Sequence, residues 1–187
     1  MNRPIPDHYQ EIFSAGQVQD AIARVAHQLT PWAERVHLET GTQPLALCVL
    51  RGAFLFFADL LKAIPCSVQP AFVRCQSYST AEVLRPENAV RLNLDDLDVT
   101  GRHVLLIDDI CDSGRTLALI KAKLLSHGAR EVLTAVLIHR VHAASRFNPD
   151  HACFQHTGPE WFAGYGMDDC HWRMNYPAVY ILNPPGV

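Results

Sequence analysis

Residues Val104 to Leu117 read VLLIDDICDSGRTL. Val104, Leu105, Leu106 and Ile107 form an apolar run without alternation, the pattern of a strand covered on both faces. The run ends on Asp108 and Asp109. A polar turn follows through Asp112, Ser113, Gly114, Arg115 and Thr116, and the period then becomes helical. Open α/β sheets place their ligands at such a junction, beyond the carboxyl end of a strand.

The turn can be read residue by residue. Neighbours in a strand point to opposite faces, so Asp108 and Asp109 fit best where the strand splays open. There, acceptor-only carboxylates can hold hydroxyl groups or a hydrated cation. Ser113, Gly114, Arg115 and Thr116 offer hydroxyls, converging backbone N–H groups, a guanidinium and a helix start, a set suited to phosphate. Together they suggest a phosphorylated ribose. The plainer alternative, a turn in which Asp112 or Ser113 only caps a helix, leaves Asp108 and Asp109 without a role.

Working outward, Leu45 to Leu50 (LALCVL) is a second apolar strand that runs into Arg51 and Gly52, then a helix from Ala53 to Ile64. Glu131 to Ile138 (EVLTAVLI) is a third covered strand, ending at Arg140 after a helix striped by Leu117, Ile120 and Leu124. Three strand ends therefore carry polar groups. Before them, Ser14 and Gln17 form a capping box, and Val18, Ile22, Val25 and Leu29 lie on one helical stripe, which Pro31 either ends or follows as the start of the next turn. Val68 to Tyr78 alternates as a more exposed strand. The segment from there to about Thr100 is polar and aperiodic, a candidate lid over the reacting groups.

Composition narrows the class. The chain has 187 residues, 49% of them apolar, enough for one compact core. A formal charge of −3 gives no reason to expect nucleic acid as a partner. Arg51 and Asp59 interrupt the longest apolar stretches, so no membrane span is expected. The start, MNRPIPDHYQ, has no signal-peptide core, and six scattered cysteines without a C-x-x-C pair suit a reducing, cytoplasmic setting with free thiols. His139, His142, His151, Cys153, His156, Cys170 and His171 crowd one third of the chain without the spacing of a structural zinc site.

The Val104–Leu117 segment resembles the signature of type I phosphoribosyltransferases, which bind phosphoribosyl pyrophosphate. It is not a Walker loop, since the G-x-x-x-x-G-K-[ST] order is absent. WFAGYGMDD (161–169) narrows the resemblance to the 6-oxopurine, hypoxanthine-guanine type. That family has a basic residue and then an Asp at equal intervals after the motif's third acid, and here Asp112, Arg140 and Asp168 are evenly spaced. The resemblance spans roughly Leu45 to Leu182.

It implies an α/β fold with a central, mostly parallel sheet flanked by helices. One domain over 1–187 is expected, with a core of about 36–160 and a small hood from about 1–20 and 161–187. It implies transfer of phosphoribose to N9 of a 6-oxopurine, with Mg²⁺, in a homodimer or homotetramer. Asp112 would face purine N7 as general base or proton relay, and Asp108 and Asp109 would hold ribose hydroxyls, directly or through Mg²⁺. Ser113 to Thr116 would cradle the 5′-phosphate. Arg51 and Gly52 would contact pyrophosphate, with a cis peptide at Leu50–Arg51. Ser77 and Tyr78 would begin the mobile loop, and Asp168 would ligate a second Mg²⁺. Arg140 would read the purine, Trp161 would stack on it, and the Phe162 backbone would read its edge. Two positions depart from the pattern. Arg140 replaces the usual Lys, and Arg173 falls one residue early, with Met174 where the family's pyrophosphate-contacting arginine stands. The rivals are another type I member using orotate or adenine, and a ribose-phosphate sensor that binds nucleic acid. The second would need a helix-turn-helix or basic patch, and neither is present.

Overall fold

The computed structural model describes residues 4–77, 90–92, 97–141, 145, 147–167 and 174–182, with backbone alone for 75–77 and 90–92. Nine strands and three helices are described, in two sheets. The large sheet contains β2 (Leu45–Leu50), β3 (Gln69–Ser77), β4 (Val90–Leu92), β5 (His103–Cys111), β6 (Glu131–Arg140) and β7 (His151–His156). Its order is β4-β3-β2-β5-β6-β7, with β3, β2, β5, β6 and β7 parallel and β4 antiparallel to β3. From β2 the chain first builds outward to β3, then crosses back to β5 and builds the other way. The reversal between β2 and β5 is a topological switch point, where a crevice opens beyond the strand ends.

The expected boundaries need three corrections. The helix α1 (Ala15–Thr40) continues through Pro31 instead of ending there. A proline inside a helix costs about 3 kcal/mol. Beyond it, however, Trp32, Ala33 and Val36 are buried, and each large apolar side chain contributes about 1.5–3 kcal/mol. Tertiary burial therefore outweighs the break. The second correction is that β5 runs on to Cys111 rather than stopping before Asp108. Its pairing with β2 ends at Ile107, but its ladder with β6 continues through Asp108 and Ile110 to Cys111. The strand splays on one side only. The third is β4, a short strand within the segment expected to be aperiodic.

The helices α1 and α2 (Phe54–Ala63) share one apolar cluster with the sheet, built around Val25, Leu29, Phe56, Leu60, Leu105 and Ile107. On the other side, α3 (Arg115–Ser126) packs Leu117, Ile120 and Leu124 against Leu47, Val104 and Leu106. Covering on both faces explains the uninterrupted apolar runs in β2, β5 and β6. A second, antiparallel sheet joins the two parts of the chain furthest apart in sequence: β1 (Tyr9–Phe13), β9 (Val179–Leu182) and β8 (Trp161–Ala163), in the order β1-β9-β8. Phe162, Val179 and Ile181 bury their side chains in the α1–α2 cluster, which ties the small sheet to the large one. No helix among the described residues is long and apolar enough to cross a membrane.

Candidate active site

A cleft of about 1120 Å³ lies where the switch point predicts one. It is lined by the ends of β2, β5 and β6 and by the start of β8, and it brings together Arg51, Gly52, Asp108, Asp109, Asp112, Thr116, Arg140, Trp161 and Phe162. All three polar strand ends meet there. Ser113, Gly114 and Arg115 form the turn that leads into α3. Of the remaining expected residues, Ser77 closes β3 in backbone alone, and Tyr78, Asp168 and Arg173 lie outside the described residues.

The carboxylates of β5 differ from one another. Asp108 is buried, and that burial, then the neighbouring Asp109 charge, pushes its carboxyl well above the usual range. The local backbone supplies part of their needs: Asp109 N–H donates to Asp108 Oδ1 at 3.0 Å and Ile110 N–H to Asp109 Oδ1 at 2.8 Å. Gly52 lies against them, and a Cβ there would force the Asp109 carboxylate to shift. The Leu50–Arg51 peptide bond is cis, as the resemblance implies.

Helix starts separate this region from the rest of the molecule. Remote from the cleft, α1 carries a complete capping box, with Ser14 Oγ accepting from Gln17 N–H and Gln17 Oε1 accepting from Ser14 N–H. The two helices that start at the cleft, α2 after Gly52 and α3 after Gly114, have no side-chain cap. Gly114 sits at φ 75°, a left-handed conformation that costs glycine little, so the turn can present the first N–H groups of α3. The N-cap position itself is Gly114, which has no side chain to cap with, and Ser113 makes one marginal contact, Arg115 N–H to Ser113 Oγ at 3.5 Å.

Among the described residues of the cleft, Arg140 is held by several partners. Its Nε lies 3.0 Å from Asp112 Oδ1, Nη1 donates to the Gly158 carbonyl, and Nη2 donates to the Glu160 carbonyl at 2.8 Å. Its guanidinium lies over the Phe162 ring, 4.8 Å from the centroid. A guanidinium has five N–H donors, of which three are engaged among the described residues. Phe162 is buried under this stack, whereas Trp161 is 63% exposed. Cys48 and Cys111 flank the acids. Burial, reinforced by Asp108, pushes their thiols up to about 12 and about 11, so they stay protonated and make poor nucleophiles.

Sequence reasoning missed Arg74, Pro159, Gly166 and Met167 as cleft residues. Met174, noted only as a departure, also lines the cleft. Arg74 had a faint signal, a charge on an alternating strand, but the others are ordinary loop residues that only the chain path brings here.

Comparison with known proteins agrees with this geometry. The model of the phosphoribosyl transferase domain matches residues 14–169. The hypoxanthine-guanine phosphoribosyltransferase of Lactococcus lactis is 35% identical over 146 residues, covering 77% of this chain and 78% of that protein. The enzyme of the same name from Mycobacterium tuberculosis is 33% identical over 159 residues, covering 84% and 77%. Among solved structures, the hypoxanthine phosphoribosyltransferase of Trypanosoma cruzi superposes with a TM-score of 0.82 at 26% identity, over 96% of this chain and 98% of that one. This chain belongs to the phosphoribosyltransferase family, on its hypoxanthine-guanine branch.

Proposed function

We propose that the chain transfers phosphoribose from phosphoribosyl pyrophosphate to N9 of hypoxanthine or guanine, releasing pyrophosphate and the nucleoside monophosphate. The observation that carries this reading is the meeting of three polar strand ends and two uncapped helix starts in one cleft. In the reaction the bond from the sugar C1′ to pyrophosphate breaks, the bond to N9 forms, and the proton at N7 leaves the base. Such a transfer needs positioning and charge neutralisation more than covalent help.

Roles follow from position. The N-terminal turn of α3, with Ser113, Gly114, Arg115 and Thr116, would hold the 5′-phosphate. Arg51 and the start of α2 would face the pyrophosphate. Asp112, exposed at the cleft and oriented by Arg140, would take the N7 proton. Trp161 would stack on the purine, with the Phe162 backbone beside its edge. The remaining N–H groups of Arg140 would donate to the 6-oxo group.

Asp108 and Asp109 are all-oxygen donors, and a buried carboxyl pushed up by its neighbour is one that a hard cation would relieve. Mg²⁺ fits that donor set. Asp108 and Asp109 would hold one ion, and Asp168 would hold a second. When bound, Mg²⁺ neutralises the departing pyrophosphate. Calorimetry should therefore show phosphoribosyl pyrophosphate affinity falling sharply with EDTA, and an unchanged affinity contradicts the metal-bridged site.

The test of the function is pyrophosphate release from phosphoribosyl pyrophosphate and Mg²⁺ with hypoxanthine, guanine, xanthine, adenine and orotate in parallel. Release with hypoxanthine or guanine is expected. Release with orotate alone would assign the chain to another branch.

A further inference from the structure

A turn outside the catalytic set closes on itself in an unusual way. It begins at His156, the last residue of β7, which is paired in register with Arg140 on β6 and accepts Val141 N–H at its carbonyl at 2.7 Å. The chain then reverses through Thr157, Gly158 and Pro159. The Glu160 carboxylate returns to the His156 ring, with Nε2 and Oε2 2.7 Å apart. A carboxylate only accepts, so Nε2–H is the donor. Gly158 sits inside the loop so formed, and a Cβ on it would overlap the Glu160 carboxylate. The Glu160 carboxylate folds over Gly158, and the hydrogen-bonded pair spans the turn. Its carbonyls at Gly158 and Glu160 are the two that hold Arg140. The His156 ring also meets the Phe162 ring edge-on at 5.1 Å, and the Arg140 guanidinium lies over that same Phe162 ring.

From this arrangement we infer that the His156–Glu160 pair is a positioning device for base selection. It shapes a carbonyl turn that clamps the guanidinium of Arg140, and through Arg140 it orients Asp112. The inference rests on the functional reading above. It also gives the Lys-to-Arg departure a physical purpose. An ammonium is a compact point charge, while a guanidinium can hold three acceptors spread around its plane and keep one orientation. With both carbonyls in place, Arg140 presents its remaining N–H donors at a fixed angle, so an acceptor at purine C6 is satisfied and an amino group there is not. Without them, the guanidinium keeps only its Asp112 contact and can turn about it, and both the base contact and the discrimination weaken.

Steady-state kinetics on Glu160→Ala and Glu160→Gln test this, with hypoxanthine and adenine as bases. Glu160→Ala should raise KM for hypoxanthine about tenfold and narrow the hypoxanthine-to-adenine ratio of kcat/KM by a similar factor, the scale of one lost hydrogen bond. KM for phosphoribosyl pyrophosphate should stay put. Glu160→Gln keeps an acceptor for His156 Nε2–H and should restore near wild-type values. A wild-type enzyme with no activity on any 6-oxopurine would overturn the functional reading and this inference together. If the wild type is active but Glu160→Ala keeps its hypoxanthine KM and its ratio, or raises both substrates' KM equally, the inference alone falls.

Discussion

The strand β5 begins at His103 and ends at Cys111, and the carboxylates at its two ends are treated in opposite ways. At the start, Glu131 of β6 receives three donors on one oxygen: Trp32 Nε1 at 3.0 Å, Arg35 Nη2 at 3.0 Å and His103 Nδ1 at 2.8 Å. Burial by itself would raise its pKa. The bonds from Trp32, His103 and Arg35 reverse that and hold the carboxylate below its ordinary value. At the other end Asp108 is buried and pushed well above the carboxylate range, and its neighbour Asp109 adds to the strain. One end of the sheet satisfies its polar groups internally and fastens α1 to β6. The other buries a carboxyl beside a second one and starts two helices without a side-chain cap, the kind of local cost that binding sites carry.

This contrast predicts where substitutions hurt. The largest effect belongs to the ligand end. Asp112→Asn should lower kcat roughly 10²–10⁴-fold, the usual span for losing a general base, with little change in thermal stability. A loss below about threefold would reduce Asp112 to a turn residue.

At the fastened end the order reverses. Glu131→Ala leaves the buried His103 and Trp32 donors unpaired and should cost about 1–3 kcal/mol, read as a fall in Tm of roughly 2–4 °C per kcal/mol with kcat intact. The pH dependence has a fixed sign. A carboxylate held below its ordinary pKa stabilises the fold above that ordinary value, and the stabilisation is lost as pH falls through the folded one. Wild-type Tm should therefore drop more steeply below about pH 4.5 than that of Glu131→Gln. Parallel curves for the two proteins would mean that the three donors do not govern Glu131.

The smallest effect is at the α1 cap. Ser14→Ala should cost about 1 kcal/mol, seen in Tm alone, because that helix start faces no ligand. A change in substrate KM would show that α1 is coupled to the cleft after all.

Much of the ligand end was legible in sequence because strand ends are punctuated by chemistry. Asp108 and Asp109 interrupt an apolar run, Arg51 and Gly52 end another, and Arg140 ends a third, so the topology only had to bring them together. Three things were not legible. The passage of α1 through Pro31 depends on what Trp32 and Val36 pack against, which no local pattern encodes. The continuation of β5 past Asp108 depends on a partner strand, β6, on one side only. The clamp on Arg140 uses the backbone carbonyls of Gly158 and Glu160, and carbonyls have no residue identity to read. The joining of β1 with β8 and β9 could be expected only through the family resemblance, since nothing in composition links Tyr9 to Trp161.

The central claim is that this cleft selects a 6-oxopurine as acceptor of phosphoribose, and its most direct measurement is kcat/KM for hypoxanthine against adenine on the wild-type protein. Arg140 has only donors to offer, and adenine presents an amino group where hypoxanthine presents an acceptor. A site built for one such hydrogen bond can reject analogues lacking it by about 10⁴–10⁵-fold, so allowing for the replacement of lysine by arginine, adenine should be at least ~10³-fold worse. Comparable use of adenine and hypoxanthine would contradict the account.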